Sequence, residues 1–135
     1  MPNKNVKVLE DVNIVKEDSL SLLIDKALGY NDSMAYNQVA SYHLLNNMGE
    51  RFLLTALKMA NKYNNAEACY HVYCIIAYST PQPPKDALEK MDTKTRNLAF
   101  FYLLKSYEMQ YESSKFEVME IFGEDKAPPK SSYYW

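Results

Sequence analysis

One pattern occurs twice in this chain and constrains its fold more than any other feature. Ala27-x-x-Tyr30-Asn31-Asp32-x-x-Ala35 returns 33 residues later as Ala60-x-x-Tyr63-Asn64-Asn65-x-x-Ala68, with a single Asp-to-Asn exchange. Small residues on both sides of a polar turn suit two helices that cross closely. Asn and Asp suit the turn, because they tolerate left-handed backbone and cap the following helix. A fixed period in this range marks a helical repeat, in which each unit buries its apolar face against the next. The expected fold is all-α, a short right-handed αα-solenoid of about three antiparallel helix pairs.

The rest of the chain divides around that pattern. Residues 1–16 read as an N-terminal arm whose Val6, Val8, Val12 and Ile14 lie on the first repeat. Residues 17–123 form the repeat domain, with pairs at about 18–47, 49–79 and 92–123 and a Pro-rich insert at 80–91. Residues 124–135 form a C-terminal tail.

In the first pair, Asp18 or Ser19 caps a helix carrying Leu20, Leu23, Ile24 and Ala27, and Gly29 ends it as a left-handed residue. Asn31-Asp32 caps a second helix with Ala35, Val39, Ala40 and Tyr42. The second pair buries Leu53, Ala56, Leu57 and Ala60, then Ala68, Val72, Ile75 and Ile76. Pro81, Pro83 and Pro84 stop any helix from crossing the insert, leaving a short turn over Asp86–Lys90. In the third pair Asp92-Thr93 caps a helix with Leu98, Ala99, Tyr102, Leu103 and Ser106. Ser114, Val118, Ile121 and Phe122 lie on its second helix, which stops at Gly123. Ser106 and Ser114 then stand where Ala60 and Ala68 stand in the second pair, while the Tyr-Asn-Asn turn is lost.

The second pair, with Ala56-Leu57-x-x-Ala60, Asn64-Asn65-Ala66-Glu67-Ala68, Val72-Tyr73 and Tyr78, resembles the Sel-one-like repeat, a relative of the tetratricopeptide repeat. Tyr63 and Tyr73 stand where that family usually has glycine, and ordinary tetratricopeptide repeats are the near alternative. The resemblance spans about Leu20–Gly123 and weakens from the second copy to the first and then the third. It implies a scaffold that binds proteins or peptides and has no chemistry of its own. Bacterial members include signalling adaptors and, among small ones, immunity proteins that neutralise a toxin encoded alongside.

Composition agrees with a binding role. A net charge of −2, with cations spread along 135 residues, gives no electrostatic case for nucleic acid. No window approaches the roughly 20 apolar residues that span a bilayer. The N-terminus lacks the apolar core of a signal peptide, so a cytoplasmic location is expected. Twelve tyrosines and five phenylalanines are a heavy aromatic load, useful for packing and for protein contacts.

Chemistry-bearing residues are sparse. Cys69 and Cys74 lie about 140° apart around one helix, so they cannot bridge each other and read as reduced, small apolar residues. His71 and Cys74 share a face and make at most half a metal site. His43 reads as a helix-end residue. Glu117 and Glu120 are spaced for a general acid and base, but that spacing is common on solvated helix faces. With no catalytic motif, the chain is read as a non-enzyme without cofactor or metal.

The remaining candidates are recognition residues. In stacked helix pairs the first helix of each pair lines the concave face. There Asp25, Arg51, Thr55, Lys58, Lys62, Arg96 and Phe100 avoid the core stripe, and Arg with aromatics favours binding hot spots. The basic character of the second and third copies points to a partner with an acidic surface, such as a toxin domain. Tyr133-Tyr134-Trp135 ends the chain. These aromatics are expected to dock back on the last helices, and Tyr134 and Trp135 are the candidates if the tail meets a partner instead. The arm, the tail or self-association would close the apolar ends of so short a stack.

Overall fold

The computed structural model describes residues 17–135. The expected arm over 1–16 lies outside them. Among the described residues there are seven α-helices, one short 3-10 turn and no strand. The helices are α1 (Glu17–Tyr30), α2 (Ser33–Leu45), α3 (Gly49–Tyr63), α4 (Ala66–Ala77), α5 (Pro84–Glu89), α6 (Thr93–Glu108) and α7 (Glu112–Phe122). The 3-10 turn, Ser131–Tyr134, lies near the C-terminus.

The turns α1–α2, α3–α4 and α6–α7 share one backbone. Asn31, Asn64 and Gln110 all take left-handed φ, at 53°, 52° and 64°. Each is followed by an extended capping residue, namely Asp32, Asn65 and Tyr111. Asp32 and Asn65 accept from the amides of Ala35 and Ala68 at 3.1 and 2.8 Å, each satisfying one of the orphan donors of a helix start. Tyr111 has no side chain able to do this, and its carbonyl accepts from the Ser114 amide at 3.2 Å instead. The α6–α7 turn thus has the same backbone geometry without the Tyr-Asn-Asn sequence.

The small residues on either side of these turns are core. Ala27, Ala35, Ala60, Ala68, Ser106 and Ser114 are all buried, none more than 3% exposed. Ser106 and Ser114 return their hydroxyls to the carbonyls of Leu103 and Tyr111, at 2.7 and 2.6 Å, so serine replaces alanine without leaving a buried donor unpaired.

Several expected boundaries move. Asp18 and Ser19 lie inside α1, not at its cap, because the helix already starts at Glu17. Gly29 is helical and Asn31 supplies the left-handed residue, since the Asn side chain also tolerates that conformation. The helical turn in the insert is Pro84–Glu89, with proline in the first turn, where no amide is missed. Within the C-terminal tail, Ser131–Tyr134 form a 3-10 turn. Asp92 caps α6 as anticipated, accepting from Thr95 N at 2.9 Å, and Gly123 ends α7 with φ 98°.

The chain divides into two compact units, one reaching to Thr55 and one running from Ala56 to Trp135. In the first, α1 packs on α2. Its buried side chains include Tyr36, Val39, His43 and Phe52, with the His43 ring stacked on Phe52 at 5.4 Å. His43 Nδ1 donates to the Val39 carbonyl at 2.9 Å, which makes it a core residue as well as a helix-end one.

In the second unit α4 packs on α6, α6 on α7, and α5 against α4. Tyr73, Ala77, Leu88, Ala99, Leu103, Leu104 and Val118 form its core. The Tyr102 hydroxyl donates to Asn61 Oδ1 at 2.7 Å, joining the end of α3 to the middle of α6.

Candidate interaction surface

The C-terminal segment lies along α6 as a strap. Ser131 gives its backbone N–H to Glu108 Oε2 and its hydroxyl to Glu108 Oε1, each at 2.7 Å. This carboxylate satisfies the first orphan amide of the 3-10 turn, the work normally done by an N-cap side chain. The Tyr134 ring then sits 5.0 Å from Phe100 and 6.3 Å from Phe122, and Phe100 lies 5.3 Å from Phe122. Trp135 packs on Phe101 at 4.7 Å, and Lys105 Nζ lies over the same Phe101 ring at 5.6 Å. Ring pairs at these separations are favourable beyond the area they bury.

A cleft of about 250 Å³ remains beside the strap, lined by Lys94, Asn97, Leu98, Phe101, Tyr134 and Trp135. The strap fills the surface only in part, since Tyr133 and Trp135 are 77% and 85% exposed.

The recognition residues expected from the sequence fall into three groups. Asp25, Arg51, Lys58 and Lys62 are exposed, and Lys62 Nζ lies over the Tyr63 ring at 5.2 Å. Arg96 is half-buried, with Nη1 at 3.5 Å from the Glu89 carbonyl that accepts from it. Thr55 and Phe100 are corrections, while Tyr134 docks on the last helices, the first of the two placements expected for it. Thr55 is buried, and Phe100 and Tyr134 pack on each other, so none of the three stands on an open surface. Sequence reasoning missed Glu108, Ser131 and Phe101. A serine four residues before an aromatic end is too common a pattern to flag such a contact.

A buried carboxylate lies in the same unit. Glu117, only 7% exposed, accepts from the Tyr73 hydroxyl at 2.9 Å and from the Tyr78 hydroxyl. Burial and the Glu117 charge both push the Tyr73 and Tyr78 hydroxyls well above the usual phenol range. Glu120, the partner expected for acid–base work, is exposed on α7. The spacing Ser114, Glu117, Val118, Ile121 follows the buried stripe of α7, and that stripe was the readable sign that Glu117 faces the core.

Cys69 is buried, and Cys74 and His71 are half-buried on the same helix. Burial raises Cys69 to about 11 and Cys74 to about 12, while the Tyr70 hydroxyl bonds Cys74 and tempers its rise. Burial lowers His71 to about 4, although the Glu67 carboxylate stands 3.8 Å away. The desolvation of the ring outweighs that partly exposed carboxylate, which burial pushes upward as well. Among the described residues, no group of three or more His, Cys, Asp or Glu side chains is placed to hold a metal. No helix there is long and apolar enough to cross a membrane.

Comparison with family models, curated proteins and solved structures gives no match.

Proposed function

We propose that this chain is a non-catalytic protein-binding module built from three helix pairs of the Sel-one-like or tetratricopeptide-like kind. The observation that carries the proposal is the turn shared by Asn31-Asp32, Asn64-Asn65 and Gln110-Tyr111, with small buried residues on both sides of each. The Tyr102–Asn61 hydrogen bond supports stacking of the second and third pairs, since it joins their first helices α3 and α6. The exposed cations Lys58 and Lys62 on α3, with Arg51 on the same helix, favour a partner with an acidic surface.

In its sharper form the module is a small cytoplasmic immunity protein that neutralises a toxin encoded beside it, an idea drawn from the family resemblance. A second reading, an adaptor that captures extended segments, is favoured by one feature. The chain's own strap is an extended segment already seated on α6.

The test uses the full chain as bait in extract from its native cells, beside a bait carrying Arg51→Glu and Lys58→Glu. The proposal expects a partner retained by the natural chain and lost at least tenfold from the reversed one. Equal retention by both baits contradicts the acidic-surface reading. The absence of any specific partner contradicts the function itself.

A further inference from the structure

The strap leaves two of its aromatic side chains, Tyr133 and Trp135, largely in water. It is anchored at one end by Ser131 on Glu108 and in the middle by Tyr134 between Phe100 and Phe122. At its far end Trp135 touches Phe101 but stays 85% exposed, beside a cleft of about 250 Å³ that no side chain fills. An extended segment that reached into this cleft would bury what Trp135 leaves in water. Lys94 lines the cleft, Arg96 influences the Tyr134 ring and Lys105 lies over Phe101, so three cations flank the site against the single carboxylate, Glu108, that the strap touches. The approach to the strap, residues 124–130, is exposed apart from half-buried Pro128, and bends over 124–126 before Pro128-Pro129. The strap is thus held chiefly by its contacts with α6, and its exposed tip at Trp135 is where release would begin.

We propose that the α6 face under the strap is a docking site for an extended acidic segment of a partner protein. That segment presents a hydroxyl residue to Glu108 and aromatic residues to Phe100 and Phe101. The chain's own Ser131–Trp135 is an intramolecular occupant that the partner displaces. The proposal rests on the protein-binding reading above and gives that reading a site, a ligand chemistry and a control. A tethered occupant lowers the apparent affinity of a competitor by the fraction of time it stays bound, so weakening the strap raises partner affinity without altering the face it covers.

The probe is a labelled synthetic peptide with the sequence of Lys130–Trp135, titrated into the full chain and followed by fluorescence anisotropy. The natural chain should bind it weakly. The full-length Tyr134→Ala/Trp135→Ala variant, whose strap is loosened while α6 is intact, should bind it at least tenfold more tightly. Adding Phe101→Ala to that variant should abolish the gain. A chain ending at Lys130, checked for native helicity by circular dichroism, should match the loosened variant. Extending the peptide with acidic residues should tighten binding further, and the effect should fade with salt.

Equal affinity of the natural and loosened chains overturns the proposal, as does binding that survives Phe101→Ala. A dimer that forms with rising concentration of the natural chain and vanishes on removal of the strap also overturns it, because the occupant would then be a second copy. The peptide result is independent of any partner captured from cells. A site with no partner, or a partner that ignores this site, would therefore be recognised as such.

Discussion

Glu108 on α6 and Ser131 in the strap form a two-pronged contact, with the serine's amide and hydroxyl each 2.7 Å from one carboxylate oxygen. The carboxylate caps a 3-10 turn from a different element, so the end of the chain is held in place by side-chain chemistry.

Replacing Glu108 with alanine should therefore loosen the strap and spare the helices. Hydrogen bonds to a charged group contribute about 1.5–3 kcal/mol when shielded, and Glu108 is exposed, so about 1 kcal/mol is expected here. That corresponds to roughly fivefold faster hydrogen exchange at the Ser131 amide, with far-ultraviolet circular dichroism unchanged. Unaltered exchange at Ser131 would show that the carboxylate does not hold it.

A larger loss is expected at the buried carboxylate. Glu117→Ala leaves the Tyr73 hydroxyl, on a side chain with no exposure, without its acceptor, at a cost of about 2–3 kcal/mol. Glu117→Gln keeps one acceptor oxygen and should cost less than half as much. Urea unfolding of both variants and of Tyr73→Phe gives the coupling between the two residues. Additive single and double mutants would mean that the hydrogen bond contributes little.

The difference between Glu108 and Glu117 also shows what could be read from the sequence. Two turns and the small core residues beside them were legible, because an Ala-x-x-Tyr-Asn-Asn-x-x-Ala pattern states helix and turn together. The backbone of the Gln110-Tyr111 turn was not, since neither residue type announces a left-handed turn. Among the expected recognition residues, Arg51, Lys58 and Lys62 are exposed, as long cations off the core stripe should be. Phe100 was misplaced because helical periodicity on α6 says nothing of segments that pack from elsewhere. For Phe100, that segment is a strap more than thirty residues further along the chain.

His71 should make stability depend on acidity. Its folded pKa, lowered to about 4, lies below the ordinary value of 6.5, so between these values the unfolded chain binds more protons than the folded one. Stability is intact above about pH 6.5 and falls as pH drops toward 4, by about 2–3 kcal/mol in all. His71→Phe should flatten the slope in that window, measured by urea unfolding at a series of pH values. An imidazole that titrates near 6.5 in the folded chain by nuclear magnetic resonance would contradict this.

Cys69 and Cys74 should resist thiol reagents while the chain is folded. With the thiols raised to about 11 and 12, the thiolate fraction at pH 8 lies at least about 100-fold below that of an ordinary cysteine. A disulfide-exchange dye should titrate both at once in urea and only slowly without it. Rapid modification of either thiol in the folded chain would mean that α4 opens readily.

The central claim is that partner binding runs through the first helices of the pairs. Hydrogen exchange of the full chain, alone and saturated with its captured partner, tests it most directly. The account predicts new protection in α3 around Arg51–Lys62 and in α6 around Lys94–Lys105, with faster exchange at Ser131 as the strap leaves. Protection confined to α2 or α7, with the α3 and α6 segments and the strap unchanged, would contradict it.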